Sequence, residues 1–121
     1  MEFLQPKDWP RPRGYANGIA ASGRQVFVAG MIGWDATNTF HSDSMAAQVR
    51  QALANVVAVL AEAGAKPEHI VRMTWYVLDK KEYVAAYPEI GAAYRDLIGR
   101  HYPTMSTVQV AGLVEDRARV E

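Results

Sequence analysis

The sequence holds no cysteine, which excludes disulfide frameworks, zinc–thiolate centres and thiol nucleophiles. It also lacks a net charge, because thirteen basic residues cancel thirteen acidic ones. A chain that grips nucleic acid through its phosphates carries a basic excess, so that class is disfavoured. No apolar run is long enough to cross a bilayer, since Asn55 and Glu62 interrupt the longest stretches. Residues 1–7 contain no apolar segment of the kind a signal peptide needs, and a soluble cytoplasmic protein is the expectation. Neither a GxGxxG fingerprint nor a P-loop lysine motif occurs, so nucleotide cofactors are not expected. The three histidines, His41, His69 and His101, have no His or carboxylate partner one helical turn away. They read as solvated loop or helix-end residues rather than metal ligands. Ser22, Ser42, Ser44 and Ser106 lack a nucleophile-elbow pattern.

What is present is a globular composition. Of 121 residues, 50% are hydrophobic and 21% charged, enough apolar surface to offset the ordering entropy of one domain spanning 1–121. At this length only about two-thirds of the unfolded surface is buried on folding. Leftover apolar area is expected to be covered by subunit contacts.

Local patterns give an element order. Pro6, Pro10 and Pro12 make residues 1–14 an extended or irregular lead-in. Strands are predicted at 15–21 and 25–29, joined as a hairpin through Ser22-Gly23-Arg24. Gly30 and Gly33 then bracket an irregular loop, 31–41, that contains Trp34. Val49, Leu53, Val56, Val57 and Leu60 form one apolar stripe of a helix over 44–63. Ser42, Asp43 and Ser44 can cap its start, and Gly64 its end. Alternation of Val71, Met73, Trp75 and Val77 against Arg72, Thr74 and Tyr76 predicts a strand over 70–78. Asp79 and Glu82 resemble a capping box. The stripe Tyr83, Tyr87, Ile90, Tyr94, Leu97 is cut by Pro88, predicting a short turn and then a helix over 88–98. Two more strands are expected at 106–111 and 117–121. The order β-β-α-β-α-β-β implies an α+β layer, two helices covering one face of a mixed sheet.

Several segments, taken in order, carry a more specific signal. They are Arg13-Gly14-Tyr15-Ala16-Asn17-Gly18, Val26-Phe27-Val28-Ala29-Gly30, Ala47-Gln48-Val49-Arg50-Gln51-Ala52-Leu53-Ala54-Asn55, Ala61-Glu62-Ala63-Gly64-Ala65, His69-Ile70-Val71-Arg72 and Tyr102-Pro103-Thr104-Met105-Ser106-Thr107. In this order they resemble the RidA (YjgF/YER057c/UK114) family, in register from about Gly14 to Glu121. The resemblance implies a chorismate-mutase-like fold and a homotrimer whose sheets face one another around a central barrel. It implies small-molecule pockets in the clefts between subunits, and neither cofactor nor metal. The activity it implies is a deaminase's: hydrolysis of reactive imines and enamines to ketone and ammonia.

Carried over position by position, the resemblance makes Tyr15 the pocket tyrosine. Gly30 becomes the glycine whose backbone faces the ligand, with Ala29 standing where many members have serine. Glu121 becomes the acidic residue that orients or activates water. The substrate-binding arginine of the Pro-Ala-Arg-Ser pattern is replaced by Met105, the cysteine that often follows by Thr107, and a helix asparagine by Gly91. An arginine holds a carboxylate through two charge-assisted hydrogen bonds; a thioether offers no donor and prefers apolar contacts. A pocket for 2-imino acids therefore needs another cation, for which Arg11, Arg13 and Arg24 are candidates. Otherwise Trp34, Met31 and Met105 line a more apolar pocket for a neutral or aromatic imine. Read on residue type alone, Tyr15 and Met105 are packing residues and Trp75 belongs to the sheet core. Two rival functions stand beside the imine deaminase: a non-catalytic ligand-binding trimer, motivated by Met105 and Gly91, and RNA cleavage. The balanced charge and the absence of a basic stripe weigh against the latter.

Overall fold

The computed structural model describes residues 1–121. Its first element lies ahead of the prolines: Glu2–Leu4 (β1) pairs antiparallel with Gly18–Ala20 (β2), Phe3 facing Ile19. The expected hairpin partner, 25–29, forms no strand. Its alternation is real, but a strand needs a neighbour's backbone, and β2 gives its hydrogen bonds to β1 instead. Phe27 is left 86% exposed.

Helix α1 (Met45–Glu62) begins at Ser44, whose hydroxyl accepts from the Ala47 amide, and ends at Gly64, held at φ 70°. The caps are worth about 1 kcal/mol each. The buried stripe Met45, Val49, Leu53 and Leu60 is worth about 1.5–3 kcal/mol per side chain and dominates. A 3₁₀ turn, Pro67–His69, leads into strand β3 (Arg72–Val77). Asp79 caps helix α2 (Lys80–Ala85) by accepting from the Lys81 and Glu82 amides. The box stays half made, because the Glu82 carboxylate turns to Arg119, 3.0 Å away. Pro88 sits at the start of helix α3 (Tyr87–Leu97), separating it from α2 as its fixed φ requires.

Strand β4 (Thr104–Gln109) lies parallel to β3, with Arg72 opposite Thr104 and Met73 opposite Met105. On the other edge of β3 the last residues return antiparallel: Tyr76 and Glu121 exchange both backbone hydrogen bonds at 2.8 Å, and the Leu78 amide donates to Arg119. Parallel and antiparallel pairing thus meet on β3, but the expected single sheet is divided: β1–β2 and β3–β4 are separate two-stranded sheets, and the expected strand at 117–121 contributes one bridge, Val77 with Val120. Alternation along β3 sends Trp75 and Val77 toward α1 and α3, where they join Val49, Leu53, Ile90, Tyr94 and Val120 in one apolar core. The opposite face carries Arg72, Thr74 and Tyr76 beside Ser106 and Val108, and the helices do not cover it. No helix is long and apolar enough to cross a membrane.

Candidate functional site

Tyr15 is placed by two local devices. Gly14 adopts φ 75°, a left-handed conformation that suits glycine, and the Ala16 amide donates to the Pro103 carbonyl at 3.0 Å. Together they hold the Tyr15 step against the start of β4. Two surface cavities meet there, and Tyr15 and Met105 line both. The first, about 340 Å³, also has Asn17, Arg72, Thr104 and Ser106 in its wall. The second, about 380 Å³, adds Arg13, Tyr83, Tyr87 and Thr107. Of the three arginines considered from the sequence, Arg13 reaches a cavity with Met105. Arg24 is committed to the Ala63 carbonyl.

The second cavity has an aromatic wall. Tyr83 and Tyr87 meet edge to face, their ring centres 5.2 Å apart, and Trp75 lies behind Tyr83 at 6.2 Å. Burial pushes the Tyr83 phenol above its ordinary pKa, and the neighbouring Thr107 hydroxyl acts in the opposite sense. Trp75 is buried with its indole N–H unpartnered. Behind this wall Tyr94 stacks on Tyr102 with planes 8° apart, and its hydroxyl donates to the His101 carbonyl. Burial raises the Tyr94 pKa as well, with Tyr102 adding to the shift.

Glu121 and Gly30 form a separate cluster. A β-carbon at Gly30 would fall inside the Glu121 carboxylate, so this carboxylate rests on bare backbone. Its position is fixed from the core. The Gln48 side chain, 1% exposed, donates to the Ser42 and Arg117 carbonyls at 3.0 and 2.9 Å and accepts from the Arg119 amide at 2.8 Å. Gly33 presses on the same residue: a β-carbon there would lie 2.5–2.7 Å from Gln48 atoms. Helix α1 thus sets the segment that carries Glu121.

Strand alternation keeps these clusters apart within one chain. Met105 and Thr107 stand opposite Met73 and Trp75, on the helix-covered face. Glu121 is paired with Tyr76, whose side chain points to the uncovered face. Tyr15, Met105 and Thr107 are brought together, as are Gly30 and Glu121, but neither of the two cavities described includes Gly30 or Glu121.

Trp34 belongs to neither group. Asn55 donates to the Ile32 and Trp34 carbonyls at 3.1 and 2.8 Å, and the Trp34 ring packs against Phe40. The loop beyond it is closed by Asp35, which accepts from Thr37, Thr39 and His41. These bonds, the His41 one first, hold the Asp35 carboxyl well below the usual carboxylate range. Gly91 lies against Arg95 and lines neither cavity; Tyr87, one turn earlier, lines the second. No three His, Asp or Glu side chains lie close enough to hold a metal ion.

Residues 9–121 match the family model described as Endoribonuclease L-PSP. The chain belongs to this family, the YjgF/RidA family. Among its relatives is the RutC family protein slr0709 of Synechocystis sp., 34% identical over 96% of this chain and 88% of that protein. Another is the 2-iminobutanoate/2-iminopropanoate deaminase of Salmonella typhimurium, 31% identical over 84% of this chain and 78% of that enzyme. A Rid-family protein of unknown function from Yersinia pestis shares the fold with a TM-score of 0.75, at 30% identity over 88% of this chain and 81% of that one. The chain thus has the chorismate-mutase-like fold of the YjgF family.

Beside the residues this family suggested, the structure brings Arg13, Arg72, Tyr83 and Tyr87 to the cavity walls. Tyr83 and Tyr87 were visible in the sequence as members of an apolar helical stripe. Their spacing gave no sign that the break at Pro88 turns both toward β4.

Proposed function

We propose that the protein is an imine or enamine deaminase acting as a homotrimer, with its reacting site in clefts between subunits. The observation that carries this reading is the Glu121 carboxylate seated on the Gly30 backbone, an acid–base group beside unhindered peptide. Two relatives named 2-iminobutanoate/2-iminopropanoate deaminase, 31% and 30% identical, support the reaction class. The uncovered sheet face and the separation of Glu121 from the Tyr15 cavity support assembly: a neighbouring subunit covers the one and completes the other.

In this scheme Tyr15 and the Gly30 backbone position a protonated imine, with Trp34, Met105 and Thr107 contributing to its binding surface. Glu121 takes a proton from water as the water oxygen bonds to the iminium carbon, and the C=N π pair moves to nitrogen. Glu121 returns that proton to the nitrogen, the C–N bond breaks with its electron pair leaving on ammonia, and the hydroxyl gives its proton through Glu121 to that ammonia as the carbonyl forms. Iminium and water become ketone and ammonium, with no redox change.

An amino-acid oxidase that generates imines in the presence of semicarbazide tests the reading. Wild type is expected to outcompete the trap for at least part of an amino-acid panel, and Glu121→Gln to lose this by tenfold or more. No acceleration for any imine refutes it. Met105 favours a second reading, a trimer of the same fold that binds a small ligand without turning it over; saturable binding without turnover is its signature. A ribonuclease reading rests on the family model's description alone, against a chain of zero net charge.

A further inference from the structure

We propose that the cavity between Arg13 and Tyr87 takes an aromatic carboxylate, with the ring against Tyr83 and Tyr87 and the carboxylate on Arg13. This rests on the deaminase reading and narrows its substrates to 2-imino acids with an aryl side chain. The wall mixes aromatic and polar surface: three phenol rings and the Met105 thioether share it with Arg13, Gly14 and Thr107. Tyr87 and Tyr15 are 52% and 44% exposed, so part of each side chain is open to a ligand.

The charge of the lining is of one sign. Arg13 is its sole formal charge, and no acidic residue contributes. Arg50, Arg117 and Arg119 are each paired with a carboxylate, and Arg24 with a backbone carbonyl. Arg13, like Arg11, Arg72, Arg95 and Arg100, makes no ion pair or side-chain hydrogen bond within the chain, and of these five it is the one in this cavity's wall. A guanidinium left unspent beside an aromatic wall matches a ligand that carries a ring and an anionic group together. A neutral ring would leave Arg13 unused, and a cationic one would be repelled by it.

The cavity's volume, about 380 Å³, is within the range of small-molecule sites. The chemistry stays balanced: an aryl 2-imino acid and water give the aryl 2-oxo acid and ammonia. The product is stable, so it can report on the site without turnover.

The test is binding of phenylpyruvate, pyruvate and the neutral ketone phenylacetone to the intact protein, followed by NMR line broadening. Phenylpyruvate is expected to bind at least tenfold tighter than either comparator. Arg13→Gln should weaken phenylpyruvate about tenfold and leave phenylacetone unchanged. Tyr87→Ala should weaken both aromatic ligands fivefold or more and leave pyruvate alone. Pyruvate binding as well as phenylpyruvate overturns the proposal. So does a tenfold loss in Arg72→Gln with none in Arg13→Gln, which would move the anion site to the neighbouring cavity. Turnover of small imines without phenylpyruvate binding sinks this proposal alone. Phenylpyruvate binding that follows the pattern, without turnover of any imine, sinks the deaminase reading and with it the narrowing to imino-acid substrates, and leaves only the aromatic-carboxylate binding site.

Discussion

Replacing Gln48 by methionine should detach the segment that carries Glu121 while leaving the helix it sits on intact. The substitution keeps chain length and burial but removes three hydrogen bonds, to the Ser42 and Arg117 carbonyls and from the Arg119 amide. At about 1 kcal/mol each these sum to about 3 kcal/mol. The thioether's easier burial returns about 1 kcal/mol, and an Arg119 amide left without a partner costs a further 1–3 kcal/mol or so. The net loss is about 3–5 kcal/mol. Unfolding entropy of about 2.1 cal/mol/K per residue over 121 residues converts each kcal/mol to about 4 °C, so Tm should fall by about 12–20 °C at fixed protomer concentration. The control is Gln51→Met, whose amide bonds only to Asn55 on the same helix; its effect should stay within about 0.5 kcal/mol. Differential scanning calorimetry gives the shifts, and hydrogen exchange at the Arg119 amide reports the local detachment. If Gln48→Met melts with the control, or if Arg119 exchange is unchanged when Tm drops, Gln48 does not hold the segment.

Gly30→Ala should separate stability from activity. The new methyl displaces the Glu121 carboxylate, the far end of a flexible side chain, so Tm should move by a few degrees at most while imine hydrolysis falls tenfold or more; an unchanged rate would remove Gly30 from the site. Tyr83 and Tyr94 make the protein sensitive to alkali. Both phenols are raised above their ordinary value of about 10, so their contribution to stability is full below pH 10 and is lost as pH rises through the folded pKa. The denaturation midpoint should decline as pH rises above about 10, and less steeply in Tyr94→Phe; equal slopes in the two proteins would contradict the assignment.

Elements built on local chemistry were legible in the sequence. The α1 stripe, its Ser44 and Gly64 caps, the β3 alternation and the break at Pro88 all depend on residues within a turn or two of one another. Pairing was less legible, because it depends on which backbones meet. Residues 25–29 have a strand's composition and no neighbour, whereas Glu2–Leu4 has a short, unremarkable sequence and finds β2. The candidate site divides in the same way. The family resemblance implied one pocket for Tyr15, Gly30, Met105 and Glu121, whereas within one chain Tyr15 lies beside Met105 and Gly30 beneath Glu121 as separate pairs. The aromatic wall was not legible, because the spacing of Tyr83 and Tyr87 is equally that of a buried helix face. Gln48 was hidden for a related reason: its amide is satisfied by residues about seventy positions away.

That sequence distance also bears on how the molecule forms and persists. The Gln48 side chain and the Arg119 amide are 71 residues apart, and Tyr76 meets Glu121 across 45. Closing loops of this size has to be paid for in chain entropy before the contacts reward it. The helices and the β3–β4 pair can assemble first, and the final segment docks onto a surface already made. A contact made after the barrier acts on the reverse reaction, so Gln48→Met is expected to speed unfolding and to leave the folding rate nearly unchanged.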